Sequence, residues 1–279
     1  MNPELAGIYY GLLSALCWGA GDFSGGLATR RANVYSVIIA GDFVGALLLM
    51  IVAWYLGERA PTMVDLAWGT VAGIGGVVGL IGLYRALALG KMGIVSPLSA
   101  VIAAALPVLV AIFVEGAPKP LQMLGFLLAF VAIWLIAQSG ETRLSLQDLL
   151  LPAIAGAGFA AFFICYDQVS DGSIFYPLVA ARVIAVLLLI GVALFGGHPM
   201  MPPVNMFPLL FLVGAADLGG NAFYGLAAQA GRLDVAAVTA SLYPAATVWL
   251  AWWLLKERFS TRQMVGVVIS LCAITLIAL

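Results

Sequence analysis

Apolar residues run through this chain in long blocks, and its polar positions gather in short gaps between them. Runs of about 17–25 residues are long enough for a helix to cross a hydrocarbon core. Ten can be drawn: 5–28, 34–56, 66–89, 94–114, 121–137, 149–169, 174–195, 206–230, 235–255 and 264–279. The gaps hold the punctuation: Arg30-Arg31, "GERAPT", "GKMG", "EGAPKP", "SGETR", "SDGS", "GGHPMMPP", "GRLD" and "KERFSTR". None is long enough to part soluble domains. The pattern predicts an all-α membrane protein of ten transmembrane helices.

Composition agrees. The chain is 64% hydrophobic and 9% charged, too few charges to cover a soluble protein of 279 residues. Its 32 glycines and 13 prolines suit helices packed closely in lipid. A net charge of −1 leaves no basic face for nucleic acid. Cys17, Cys165 and Cys272 lie far apart inside apolar runs, and His198 is the single histidine. Neither a metal site, another cofactor nor a disulfide framework is expected. The first run, about 24 residues without a small-residue cleavage site, reads as a span rather than a signal peptide. The expected setting is multi-pass in the cytoplasmic (cell inner) membrane, with lipid and a small-molecule substrate as partners. Monomer and homodimer stay open.

The two halves match. At an offset of 141 residues, "LQMLGFLLAFVAIWLIA" from Leu121 falls on "RQMVGVVISLCAITLIA" from Arg262, and "GKM" at Gly90 falls on "GRL" at Gly231. "VYSVIIAGDFVGALLL" from Val34 meets "FYPLVAARVIAVLLLI" from Phe175, and Trp18-Gly19 meets Phe159-Ala160. The expected units are residues 1–140 and 141–279. Five spans per unit is odd, so the second copy enters the membrane inverted. Inverted repeats are a common plan of secondary transporters, whose substrate sites lie at the midplane between repeats.

With "CWG" at Cys17, the Gly-Lys/Arg step of each half (Gly90-Lys91 and Gly231-Arg232) and "SLYPAATVWLAWWLLKERFSTRQMVG" (Ser241 to Gly266), the chain resembles the EamA-type proteins of the drug/metabolite transporter superfamily. The resemblance spans essentially the whole chain. It departs where "VEGAPKP" replaces the usual Glu-Arg pair and where Pro107 falls later than a counterpart of Pro244 would. The resemblance implies ATP-independent transport of a small metabolite and no enzymatic activity.

Ionisable groups inside the spans cost at least ~2.5–3.5 kcal/mol at the bilayer centre, so each must be paired, hydrated or functional. We call the face holding both termini A and the opposite face B. At ~1.5 Å per residue, Asp22, Asp42 and Arg85 lie ~9, ~12 and ~6 Å below face B. They are expected to form one gating or proton-coupling cluster. Asp167 and Arg182 lie ~3 and ~12 Å below face A, a candidate gating or proton-coupling pair, although Asp167 at that depth reads first as a solvated interfacial residue. Asp217 sits near the midplane, with Asn221 and Tyr224 on the same helix face. Pro244 should interrupt the ninth helix. Trp18, Tyr84, Asp217, Asn221, Tyr224, Ser241 and Tyr243 are therefore the candidate substrate-binding residues. Four aspartates against two arginines suggest a cationic, zwitterionic or aromatic substrate, moved by proton coupling, export or exchange.

A competing reading starts from "WGAGDFSGG" (Trp18 to Gly26). Its Gly-x-Gly-Asp and the later Tyr166-Asp167 resemble the elements of intramembrane aspartyl proteases. A dyad must share a proton, yet Asp22 and Asp167 differ by ~18 Å in depth. Transport is the preferred reading, and a structural membrane role is a second alternative. Loop charges put Arg30, Arg31, Lys91, Arg143, Lys256, Arg258 and Arg262 on face B, against Arg59, Lys119 and Arg232 on face A. The positive-inside rule then places the termini outside, whereas the family resemblance implies termini inside.

Overall fold

A computed structural model describes residues 3–115, 120–137, 146–170, 172–230, 239–240 and 242–278, and these contain no strand. Among the described residues ten long α-helices follow one another: α1 (Pro3–Thr29), α2 (Val34–Tyr55), α3 (Met63–Ala88), α4 (Met92–Glu115), α5 (Pro120–Ala137), α6 (Leu146–Tyr166), α7 (Phe175–Gly196), α8 (Phe207–Ala230), α9 (Tyr243–Leu255) and α10 (Thr261–Ala278). Their limits lie within a few residues of the apolar runs. The first part of the expected ninth run lies largely outside the described residues. What is described, helical Thr239-Ala240 and a turn at Leu242, agrees with an interruption just before Pro244.

Local chemistry sets the ends. Asn33 caps α2 by accepting from the Tyr35 N–H at 2.9 Å. Thr62 and Asp65 form a reciprocal capping box at the start of α3. Gly197 ends α7 in the left-handed region, where glycine carries no Cβ penalty. Five segments are long and apolar enough to cross a membrane: Val34–Tyr55, Met63–Ala88, Asp148–Tyr166, Phe175–Gly196 and Val204–Tyr224. Shorter apolar stretches occur in α4, α5 and α10. α1 has the length, but Asp22 and its many glycines and serines dilute its hydropathy.

Helix contacts repeat between the halves. α1 packs on α8 as α6 packs on α3; α2 packs on α8 as α7 packs on α3; α1 meets α9 as α6 meets α4. α2·α7, α4·α9 and α5·α10 pair each helix with its own counterpart. The correspondence reaches single residues. The Trp18 indole fills the space a side chain at Gly220 would need, and the Phe159 ring does the same at Gly79. Both members of one contact are related to the other by the 141-residue offset. Lipid tails supply no hydrophobic drive between helices, so such close van der Waals approach is what associates them.

The ends of the bundle are tied across the halves. On face A, the Glu58 carboxylate accepts from the N–H groups of Ile174, Phe175 and Tyr176, capping α7. Asp65 accepts from the Ser170 N–H at 2.9 Å. On face B, Lys91 pairs with Asp148 at 2.6 Å and Arg30 with Glu257 at 3.3 Å.

Candidate functional site

The glycines of "WGAGDFSGG" are points of helix contact. Gly19 lies against Tyr243, Ala246 and Thr247 of α9, Gly21 against Ala216 of α8, Gly25 against the Tyr84 ring, and Gly26 against Leu87 and Met92. A string read as half a protease motif is thus what lets α1 sit close to α3, α4, α8 and α9 together. This closeness also brings Asp22 into the interior.

At that interior the Arg182 guanidinium lies between two carboxylates. Its Nη2 donates to Asp217 Oδ2 at 2.7 Å, and its Nη1 stands 3.6 Å from Asp42 Oδ1. Asp22 lies within electrostatic range of Asp217. Buried Tyr84 senses Asp22, Asp42, Asp217 and Arg182 together. Two carboxylates therefore flank one guanidinium, and a third, Asp22, stands nearby on the Asp217 side. Asp42 and Arg182 are largely enclosed, whereas the Asp217 side chain keeps 30% of its surface open. Asp22 is partly exposed and forms no ion pair among the described residues.

Aromatic rings border this group. Trp18, one turn before Asp22, lies 5.9 Å from Tyr224 and 6.5 Å from Tyr243, centroid to centroid, the latter edge-on. Asn221, on the same helix as Asp217, donates to the Asp217 backbone carbonyl at 2.8 Å. Part of its amide is thereby used within its own helix. Ser241 lies outside the described residues.

A family model for the EamA-like transporter family matches residues 5–138 and again 148–279. The chain belongs to the EamA-like transporter family. No curated protein sequence matches it. A solved structure called only "Crystal structure of protein" aligns over 97% of this chain and 95% of its own length, at 17% identity and a TM-score of 0.62. That likeness shows the fold alone. The family consists of membrane transporters, in line with a multi-pass, non-enzymatic protein and with the repeat seen in the packing.

Within this EamA-like chain, the charged group is assembled from both matched segments: α1 and α2 from the first, with Tyr84 of α3 beside them, and α7 and α8 from the second. Two sequence expectations are corrected. Arg85 does not join Asp22 and Asp42. It is exposed, donates to the Tyr35 hydroxyl at 2.8 Å, and holds its guanidinium 5.2 Å from that ring's centroid. Asp167 does not pair with Arg182. It is exposed just past the end of α6. The Arg85 expectation fails because rise per residue fixes depth along a helix but not the direction a side chain faces, whereas Asp167 is the exposed interfacial residue that its shallow depth suggested. Arg85 and Arg182 had suitable depths, and helix rotation sent one outward and the other into the core.

The same placement removes the proposed Asp22–Asp167 dyad, since Asp22 faces α8 and Asp167 lies exposed at a helix end. Further signals for this site lie in the sequence. Gly41 and Gly45 flank Asp42 at small-xxx-small spacing. They receive α8: Gly41 faces Val213, and Gly45 lies beside the Asp217 carboxylate. Thr62-x-x-Asp65 spelled the capping box. The role of Glu58 at α7 had no local signal, because its partners lie more than a hundred residues away.

Proposed function

We propose that this protein is a secondary transporter working by alternating access, its two five-helix units inverted relative to each other and rocking about the Asp22–Asp42–Arg182–Asp217 group. All ten helices would cross the membrane in this reading. The proposed substrate is a small organic cation or zwitterion with an aromatic or apolar body, carried with proton coupling, by export or by exchange.

One observation supports this above the others: three carboxylates and one guanidinium meet where helices of both halves converge. If all are ionised, two negative charges remain uncompensated at depth, where isolated charge is costly. A cationic substrate or a proton supplies the compensation, and the two can exchange there. Trp18, Tyr224 and Tyr243 beside Asp22 suit the face of an organic cation, since ring quadrupoles attract positive charge. Arg182 then acts as the resident counter-cation of Asp42 and Asp217. The cross-half ties of Glu58 to α7 and of Arg30 to Glu257 are candidates for contacts that break in turn as each face opens.

The test uses purified protein in proteoliposomes with an imposed pH gradient and small aromatic amines as substrates. Uptake should depend on the gradient, and Asp22→Asn should remove that dependence while leaving the protein folded. Normal, pH-dependent transport by both Asp22→Asn and Asp217→Asn would sink the assignment.

A further inference from the structure

We propose that the turn joining α9 to α10 is a binding site for the phosphate headgroup of an anionic phospholipid. An open cleft of about 520 Å³ lies there, lined by Trp252, Trp253, Lys256, Glu257, Arg258 and Phe259 among others. It lies away from the central charged group and answers to different chemistry.

The turn is built to aim two cations outward. Residues 256–260 are non-helical, and their side chains alternate: Lys256 and Arg258 are exposed, Glu257 and Phe259 turned inward. The inward pair anchors the turn. Glu257 meets Arg30 at 3.3 Å with 13% of its side chain exposed, and its carboxylate faces the N–H groups of Met92 and Gly93. Phe259 is wedged against Gly93, where a Cβ would collide with its ring. Lys256 is held in the left-handed region at φ 54°, alone among the described non-glycine residues. Such a conformation costs about 1–3 kcal/mol and persists only where its surroundings enforce it. Neither Lys256 nor Arg258 forms an ion pair among the described residues.

Charge and position select the occupant. Trp252 and Trp253 at the end of α9 are 56% and 58% exposed, and Trp253 stacks on Trp249 at 5.3 Å. Exposed indoles at a helix end belong at the headgroup level of a bilayer. Two free cations beside them, on the face richer in Lys and Arg, match a phosphate whose acyl chains run down over the rings. Arg258 can donate two parallel N–H bonds to that phosphate, and Lys256 adds a point charge.

The experiment reads tryptophan fluorescence of the full chain in phosphatidylcholine vesicles. These are doped with brominated phosphatidylglycerol or, equally, with brominated phosphatidylcholine. Bromine quenches only nearby indoles, so the anionic lipid should quench more than the zwitterionic one at equal dose. Lys256→Gln/Arg258→Gln should abolish the excess; each cation near the surface accounts for about fivefold in lipid preference. Both side chains are exposed, so the fold should persist, and raising salt on the unaltered protein offers a second readout that should lower the excess. Trp252→Phe/Trp253→Phe should shrink it, because two of the indoles beside the cleft are gone and only Trp249 is left there. Equal quenching by both lipids overturns the proposal. So does an excess that survives Lys256→Gln/Arg258→Gln, one undiminished in Trp252→Phe/Trp253→Phe, or one that inorganic phosphate relieves, which would mark a site for a soluble anion.

Discussion

The interface of α1 with α8 and that of α6 with α3 are the same packing used for different chemistry. Trp18 over Gly220 corresponds to Phe159 over Gly79. At the same 141-residue offset, Asp22 corresponds to Phe163, Asp217 to Gly76, Asn221 to Leu80, Tyr224 to Leu83 and Tyr243 to Ile102. Every polar group of the candidate site thus has an apolar counterpart in the other half. Arg182 corresponds to Gly41 and is equally unmatched. The repeat supplies close helix contact twice, and only the α1–α8 contact carries a pair of carboxylates, Asp22 and Asp217. Packing tolerates this because size at the aromatic–glycine contact is kept while charge is not.

The largest expected effect separates the two interfaces by charge. Arg182→Leu leaves Asp42 and Asp217 without their buried partner and should lower stability by about 3–5 kcal/mol. Thermal unfolding of the purified protein measures it. A loss well under that range would show that Asp42 and Asp217 find other compensation.

A purely steric change should come next, in the apolar copy. Gly158 of α6 lies directly against the backbone of Gly79 in α3, and neither backbone can yield as a flexible side chain would. Gly158→Ala should therefore destabilise by about 1–3 kcal/mol through overpacking. If melting is unchanged, the two helices can part cheaply and the close approach is not what holds them.

Asp22→Asn tests function without much effect on folding, since Asp22 has no ion pair to lose among the described residues. Transport should slow about tenfold, equivalent to roughly 1.4 kcal/mol. Phe163→Leu, at the counterpart position, should leave rate and pH dependence alone. Equal effects from both variants would erase the proposed asymmetry.

The smallest effect is expected from Trp18→Phe, which makes the polar interface resemble its apolar twin. Stability should stay within about 1.5 kcal/mol. Apparent affinity for an aromatic amine should fall severalfold, as indole is the strongest ring for a cation. Flux titrated against substrate concentration distinguishes this from a change in rate alone.

Several of these features needed no third dimension. The membrane setting follows from composition, because lipid excludes unpaired backbone and most charge. Helix limits follow from run length and from caps such as Asn33 and Thr62. The repeat followed from Gly90 falling on Gly231 and Trp18 on Phe159 at one offset. What only the tertiary structure decided was direction and neighbour. It turned Arg182 toward Asp42 and Asp217, left Arg85 on Tyr35, exposed Asp167, and gave Glu58 the start of α7. The physical reason is that hydropathy and rise are properties of one helix. The partner of a buried charge depends on how several helices rotate and cross, and only their packing sets that.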